Sequence, residues 1–202
     1  MIKVDLKKDL KHLYQASIKE PAIVEVPAFD FLMLDGAGDP DGSAVFQAAV
    51  EALFAVAYAL KFMVKAEKAV DYGVMPLEGL WHADDPAGFS QERRDLWHWT
   101  LMVMQPPYVS SLLVRLALER VFKKKKLPDL NRMKFLKFRE GLAAQVLHLG
   151  PYGNEGPAVA RLHAFIREKG AEPRGRHHEI YLSDPRRSTP EKLKTIIRQP
   201  IG

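Results

Sequence analysis

Arg176-His177-His178-Glu179-Ile180-Tyr181-Leu182 has the pattern of a short strand: Ile, Tyr and Leu beside polar neighbours, entered from Gly175 and closed by Ser183-Asp184-Pro185. A side-chain period of two sends His177, Glu179 and Tyr181 to one face and His178, Ile180 and Leu182 to the other. Glu179 is thereby flanked by an imidazole and a phenol on one surface. A carboxylate so flanked is suited to bind a cationic or electrophilic ligand, or to act as a general base. On its own, the stretch also reads as a half-exposed strand with a solvent-facing glutamate.

Outward from this stretch the chain repeats itself. Residues 21–34 alternate apolar and polar side chains as a strand broken at Pro27, and residues 35–42 form a Gly- and Asp-rich loop. Ser43 caps a helix expected to run to about Lys65, with a buried stripe at Phe46, Val50, Leu53, Ala57, Leu60 and Val64. Strands are expected over 72–82 and 96–106, joined by a polar segment containing Asp84, Asp85, Gly88 and Arg93-Arg94. A helix opened by Pro106-Pro107 follows to about Phe122, and residues 123–131 read as a basic linker. After it come strands at 135–141 and 143–149, a loop over 150–156, a helix from Pro157 to Gly170, the Glu179 strand and a last strand over 194–200. Gly36 to Gly42 is six positions, as is Gly150 to Gly156, and both halves end on a Thr-initiated apolar run closed by Gln-Pro.

The fold class expected is therefore α+β: duplicated strand-helix-strand-strand units related by a pseudo-twofold, with antiparallel sheet and a ligand cleft between them. Residues 1–20 read as a polar lead-in, and residues 21–202 as one domain of two repeats (about 21–106 and 132–202) joined by the helix and linker over 107–131. Clefts between such halves are favoured ligand sites. Trp81, Trp97, Trp99, Tyr108, Tyr152 and Tyr181 are candidates for an aromatic wall, or for ordinary core packing. Glu78 falls in the first half where Glu179 falls in the second. In an ideal strand Glu78 and Trp81 face opposite ways, so their sharing a cleft requires a bulge near Gly79.

Composition narrows the chemistry. With 202 residues, 47% of them hydrophobic, the chain can fill a core. It has no cysteine, which excludes disulfides, thiolate nucleophiles and Cys-ligated metals. The N-terminal residues are charged and lack a signal-peptide core, and the apolar run 44–60 is interrupted by Gln47 and Glu51. The expectation is a cytoplasmic protein without membrane association. A net charge of +5 invites a nucleic-acid partner, but the run Lys123-Lys124-Lys125-Lys126 sits at a helix end where cations favour the dipole. No zinc-finger spacing, aromatic RNA-binding signature or phosphate loop accompanies it. His177 and His178 face opposite ways on a strand and no paired helical histidines exist, so no metal and no cofactor are expected. No Gly-x-Ser-x-Gly elbow is present.

The repeat, His148-Leu149-Gly150-Pro151-Tyr152, and Glu179-Ile180-Tyr181-Leu182-Ser183-Asp184-Pro185 together resemble the GyrI-like small-molecule-binding family over roughly residues 20 to 202. The resemblance is to its stand-alone bacterial members, through Lys61-Phe62-Met63-Val64-Lys65, Met75-Pro76-Leu77-Glu78-Gly79-Leu80-Trp81, Trp99 to Pro106 and His177 to Arg187. Other members carry a helix-turn-helix domain, for which residues 1–20 offer no room, so direct DNA binding is not expected. The resemblance implies two strand-helix-strand-strand units around a pocket for hydrophobic, often aromatic or cationic molecules, with Glu179 as its acidic residue. For the stand-alone branch it also implies hydrolytic opening of the strained cyclopropane in DNA-alkylating natural products of the yatakemycin and CC-1065 type.

For such a flat, apolar, electrophilic substrate, Trp81, Trp99 and Tyr152 are suited to hold rings. Glu179 or Glu78 would deprotonate water, and a tyrosine hydroxyl or a histidine would meet the carbonyl that gains charge. The candidate site is thus Glu179 and Tyr152 as catalytic residues, with Glu78, Trp81, Trp99, His177, Tyr181 and Tyr108 binding substrate. The partner expected is a hydrophobic aromatic small molecule, and the protein a monomer or homodimer. The alternative is a binder without turnover, which sequesters drugs or contacts a partner such as DNA gyrase.

Overall fold

The computed structural model describes residues 1–85 and 90–202; Gly88, in the polar connection expected before residue 96, lies outside the described residues. In chain order the elements are β1 (Ile2–Val4), α1 (Leu6–Asp9), α2 (Lys11–Tyr14), β2 (Ala22–Ala37), α3 (Ala44–Lys68), β3 (Val70–Tyr72) and β4 (Leu77–His82), then β5 (His98–Gln105), α4 (Ser111–Lys124), β6 (Lys134–Leu149), α5 (Gly156–Glu168), β7 (His177–Tyr181) and β8 (Lys194–Pro200). The chain is a mixed α/β protein with antiparallel sheet, as the alternating patterns predict. The sheet closes on itself: β2-β5-β4-β7-β8-β6 form a barrel whose neighbouring strands are all antiparallel. β1 and β3 make a separate parallel pair.

Several boundaries differ from the sequence reading, each for a local reason. β2 does not break at Pro27, because the pairing of β2 with β6 keeps one register on both sides of it (Val26 with Gly141, Ala28 with Arg139). The two strands expected over 135–149 are one strand, β6, which passes through Gly141 at a φ of 78°. The single strand expected over 72–82 divides into β3 and β4 around Pro76, which has no N–H to donate. α4 starts at Ser111 rather than at the prolines, since Ser110 Oγ accepts from Leu113 N at 3.2 Å and supplies the cap. Ser43 caps α3 as expected, accepting from Phe46 N at 3.2 Å.

α3 runs three residues beyond Lys65, and by length and composition alone it would suffice to cross a membrane. Here it lies along the outside of the barrel with Ala49, Leu53, Val56, Ala57 and Leu60 buried. The outer faces of β6 and β8 are covered by α5, where Ala144, Val146 and Ile197 pack on Ala158, Leu162 and Ile166. Burial of these apolar faces, at roughly 25 cal/mol per Å², is the main drive for both dockings.

Residues 1–20, read from sequence as a lead-in, send Leu13 and Tyr14 into the interior from α2. There they meet a polar group that the apolar core surrounds. His178 stands between two carboxylates: its Nε2 lies 3.0 Å from Glu78 Oε2 and its Nδ1 2.9 Å from Glu140 Oε1. Tyr14 donates to the other Glu78 oxygen at 2.7 Å, and Arg198 Nη1 donates to the other Glu140 oxygen at 3.2 Å. Arg198 also donates to Gln145 Oε1 and to the Leu13 carbonyl, and Gln145 donates to the His12 carbonyl. His178 and Arg198 therefore meet Glu78 and Glu140, and each side chain has a partner, which is the condition for burying charge without a large penalty.

Burial alone would drive the His178 proton off, but the Glu140 and Glu78 carboxylates outweigh it and raise His178 to about 9. Burial likewise opposes ionisation of Glu140, and His178 with Arg198 reverses this, holding it at about 2. The folded state thus binds the His178 proton more tightly than an unfolded chain does. That contribution is complete below the ordinary 6.5 and is lost as pH rises through about 9. Glu140 contributes above its ordinary 4.5 and loses its contribution as pH falls towards 2. Urea unfolding is expected to show greatest stability between these limits and a loss on the order of 3 kcal/mol from pH 6 to pH 10. His178→Gln, less stable throughout, should lack the alkaline decline; an unchanged decline in that variant would remove His178 as its source.

Candidate functional site

β7 alternates as its sequence predicts. His178 and Ile180 point into the barrel, while His177, Glu179 and Tyr181 lie on its outer face. Ladder register brings Gly79 opposite Glu179, and Trp81 opposite both His177 and Trp99, so these side chains share that outer face. α3 covers one side through Phe46, which stacks on Trp81 with centroids 6.0 Å apart and meets Trp99 edge-on at 5.3 Å. The turn Tyr152–Asn154 and the start of α5 flank the other side with Tyr152 and Glu155.

Both oxygens of Glu179 are engaged. His177 Nε2 lies 3.2 Å from Oε1, and Tyr181 donates its hydroxyl to Oε2 at 2.7 Å. Trp81 Nε1 in turn donates to the Tyr181 oxygen at 3.1 Å. This chain passes directly over Gly79, where a Cβ would stand 2.7 Å from Trp81 Nε1, so only glycine leaves the indole room to reach Tyr181. Gly36 has the same use beneath Trp99, whose ring atoms lie about 2.1 Å from the place a Cβ would occupy. Tyr152 meets Tyr181 edge-on at 5.5 Å.

Glu155 sits at the N-cap of α5 yet makes no capping hydrogen bond. It turns inward, so that one oxygen from each of Glu155 and Glu179 and a ring nitrogen of His177 all lie within 4.8 Å of one another. Two carboxylates this close do not both ionise readily. Burial, with the neighbouring charge of Glu179, pushes Glu155 far above the carboxylate range. Burial opposes ionisation of Glu179 as well, but the hydrogen bond and charge of His177 and the Tyr181 hydroxyl hold it below its ordinary value. At neutral pH the pair therefore holds one proton, on Glu155. Tyr152 is raised to about 12 by burial and by Glu155 and Glu179, and stays a hydrogen-bond donor. Glu155, His177 and Glu179 also form a group able to hold a metal ion. To enter it, a dication would have to displace the Glu155 proton and compete with the bond from Tyr181.

Of the residues picked from sequence, Glu179, His177, Tyr181, Tyr152 and Trp81 come together, with Trp99 joined through Phe46. Glu78 does not join them. The register of β4 is regular through Gly79, no bulge turns its side chain outward, and Glu78 belongs to the interior group with His178. Tyr108 lies apart, edge-on to Tyr72 of β3 at 5.7 Å. Glu155 was missed, although the repeat contained a signal for it: counting from Gly150 as from Gly36, Glu155 occupies the place of Asp41.

Residues 19–201 match the family of the GyrI-like small molecule binding domain. The chain belongs to that family. An uncharacterized conserved protein from Listeria innocua is 40% identical, superposes with a TM-score of 0.91, and the match covers 98% of this chain and all of that one. A second Listeria innocua protein, described as a hydrolase, is 39% identical with a TM-score of 0.86 over 98% of this chain and all of its own. The EcmrR C-terminal domain, at 13% identity and a TM-score of 0.58 over 91% of this chain and 97% of its own, shares the fold. Among curated proteins none matches.

Tyr181→Phe tests the wiring of this candidate site, since it keeps the ring and removes one donor from Glu179. The Glu179 carboxyl, followed by carbon NMR, is expected to titrate at higher pH in the variant than in the wild type. Coincident titrations would show that Tyr181 does not hold the charge.

Proposed function

We propose that this protein is a small-molecule hydrolase of the GyrI-like family that opens the cyclopropane of DNA-alkylating natural products of the yatakemycin and CC-1065 type, protecting the cell. The observation that carries this is the carboxylate pair: an ionised Glu179 against a protonated Glu155, beside an aromatic wall. Neighbouring carboxyls driven apart in pKa form a general base and a general acid in one place. The Listeria relative described as a hydrolase supports the same reading. The two strand-helix-strand-strand runs, β2-α3-β4-β5 and β6-α5-β7-β8, are in this proposal copies of one unit, and the site lies where the two copies meet at β4 and β7.

In the proposed reaction Glu179 takes a proton from water as its oxygen bonds to the cyclopropane carbon. The ring C–C bond breaks, and its electrons move onto the carbonyl conjugated with it. That oxygen receives a proton from Glu155, assisted by the Tyr152 hydroxyl, so the net change is the addition of one water. His177 and Tyr181 keep Glu179 ionised and aimed. Trp81 and Trp99 are almost wholly buried, at 3% and 2% exposure, so a flat ligand reaches them by displacing Phe46.

Conversion of a cyclopropane-bearing duocarmycin-type compound in oxygen-18 water is expected to exceed many equivalents of protein, with one labelled oxygen in the product. Glu179→Gln should lower the rate by about 10²-fold or more, as for loss of a general base. The pH profile should be a plateau falling in acid as Glu179 protonates and in alkali as Glu155 loses its proton, and Glu155→Gln should abolish the alkaline limb. Protection limited to one equivalent of compound, with no labelled product, would leave a sequestering binder instead.

A further inference from the structure

The opposite surface of the barrel has a chemistry of its own. β8 pairs with β6 only from Ala143 to Leu149, so the first half of β6 has a second edge that no strand borders among the described residues. A cavity of about 440 Å³ opens there into the barrel. Its lining is largely apolar, with Met33 from β2, Leu80 from β4, Phe138 from β6 and Pro200, and Leu136 of β6 exposed at its mouth. Lys134, Arg139, Arg174 and Arg176 line it too, against two carboxylates, Asp35 and Glu140.

Those two carboxylates are already committed. Glu140 is held by His178 and Arg198, and Asp35 accepts from Lys134 and from Thr100, both at 2.6 Å. Arg139 pairs at 3.4 Å with Glu25. The two remaining guanidiniums meet neutral oxygens. Arg174 donates to the Ile201 and Glu140 carbonyls at 2.8 and 2.7 Å, and Arg176 donates to Thr100 Oγ1 at 3.0 Å. Among the described residues no carboxylate forms an ion pair with either one within 4.0 Å, though Asp35 is near enough for the charge of Arg176 to lower it. The cavity thus joins an apolar interior to a mouth with surplus positive charge, in the size range of small-molecule sites.

We propose that this cavity is a second ligand site, separate from the Glu179 site, for an organic anion with an apolar body: a monocarboxylate whose head pairs with Arg174 and Arg176 and whose chain or ring fills the space among Met33, Leu80, Leu136 and Phe138. Guanidinium forks match carboxylate oxygens in geometry and charge, and the pairing supplies orientation as well as affinity. The site lies on the inner face of the sheet that carries Glu179 on its outer face, so the two ligands do not compete for space.

Calorimetric titration of the full chain with decanoate is the test, with decanol as the neutral comparison. Decanoate is expected to bind one equivalent, with affinity falling as salt rises. Decanol should bind at least about tenfold more weakly, a loss in the range of one charged hydrogen-bond pair. Arg176→Gln, at an exposed position with a single side-chain partner, should weaken decanoate by a similar factor. Leu136→Trp, also at an exposed position, should block it by filling the mouth, while Glu179→Gln should bind decanoate as the wild type does. No decanoate binding by the folded protein, equal affinity for decanol, or loss in Glu179→Gln with Arg176→Gln and Leu136→Trp unaffected would each overturn the proposal.

Discussion

A charged imidazole enclosed by two carboxylates is the constraint on which this barrel depends. His178 on β7 reaches Glu78 on β4 and Glu140 on β6, and through them Tyr14 of α2 and Arg198 of β8. Hydrophobic burial supplies the bulk of the folding energy, but it is non-directional and does not choose among strand registers. Ion pairs out of water are far more selective. Sliding β7 by one residue would put His178 outside and leave Glu78 and Glu140 buried without their partner, at a cost of several kcal/mol. The same group brings α2 under the barrel, because Arg198 and Gln145 need the carbonyls of Leu13 and His12 as acceptors.

Register set on the inside determines what happens outside. Once His178 points inward, Glu179 must point outward, opposite Gly79 and beside Trp81, His177 and Tyr181. The sheet works as a plate with a neutralised ionic group on one surface and a one-proton carboxyl pair on the other. The difference between them lies in partners. Inside, His178 and Arg198 hold Glu140 ionised; outside, Glu155 meets chiefly another carboxylate, and burial makes it keep its proton. On that outer face Glu155 and Glu179, with oxygens within 4.8 Å of each other, are driven apart in protonation, which is what an acid–base pair requires.

Aromatic packing closes the outer site around that pair. Phe46 reaches Trp81 and Trp99 because Ser43 starts α3 at the end of the loop following β2, placing its first turn over β4 and β5. Gly36 and Gly79 give the two indoles room to lie flat on the sheet. These are features of shape rather than charge. They suit flat apolar ligands in general, which fits a fold family defined by small-molecule binding.

Much of this was legible in the residues. The period-two pattern around Glu179, the cap at Ser43 and the terminal strand all follow from local rules, and local rules govern which way a strand's side chains alternate and where a helix can start. Gly36, read from sequence as loop, is instead in β2, because it pairs with Trp99. Membership of the Glu179 group by His177 and Tyr181 follows from alternation alone. Tyr152 and Trp81 needed the pairing of β4 with β7 and the return of the turn before α5, which are non-local. The tertiary structure alone decided that Glu78 belongs to the interior and that Tyr14 and Arg198 complete its ion group. It also decided that Glu155, spaced like a helix cap, turns inward to share a proton with Glu179. Those outcomes depend on which charges burial forces together, and a linear pattern holds that information only after the strands have paired.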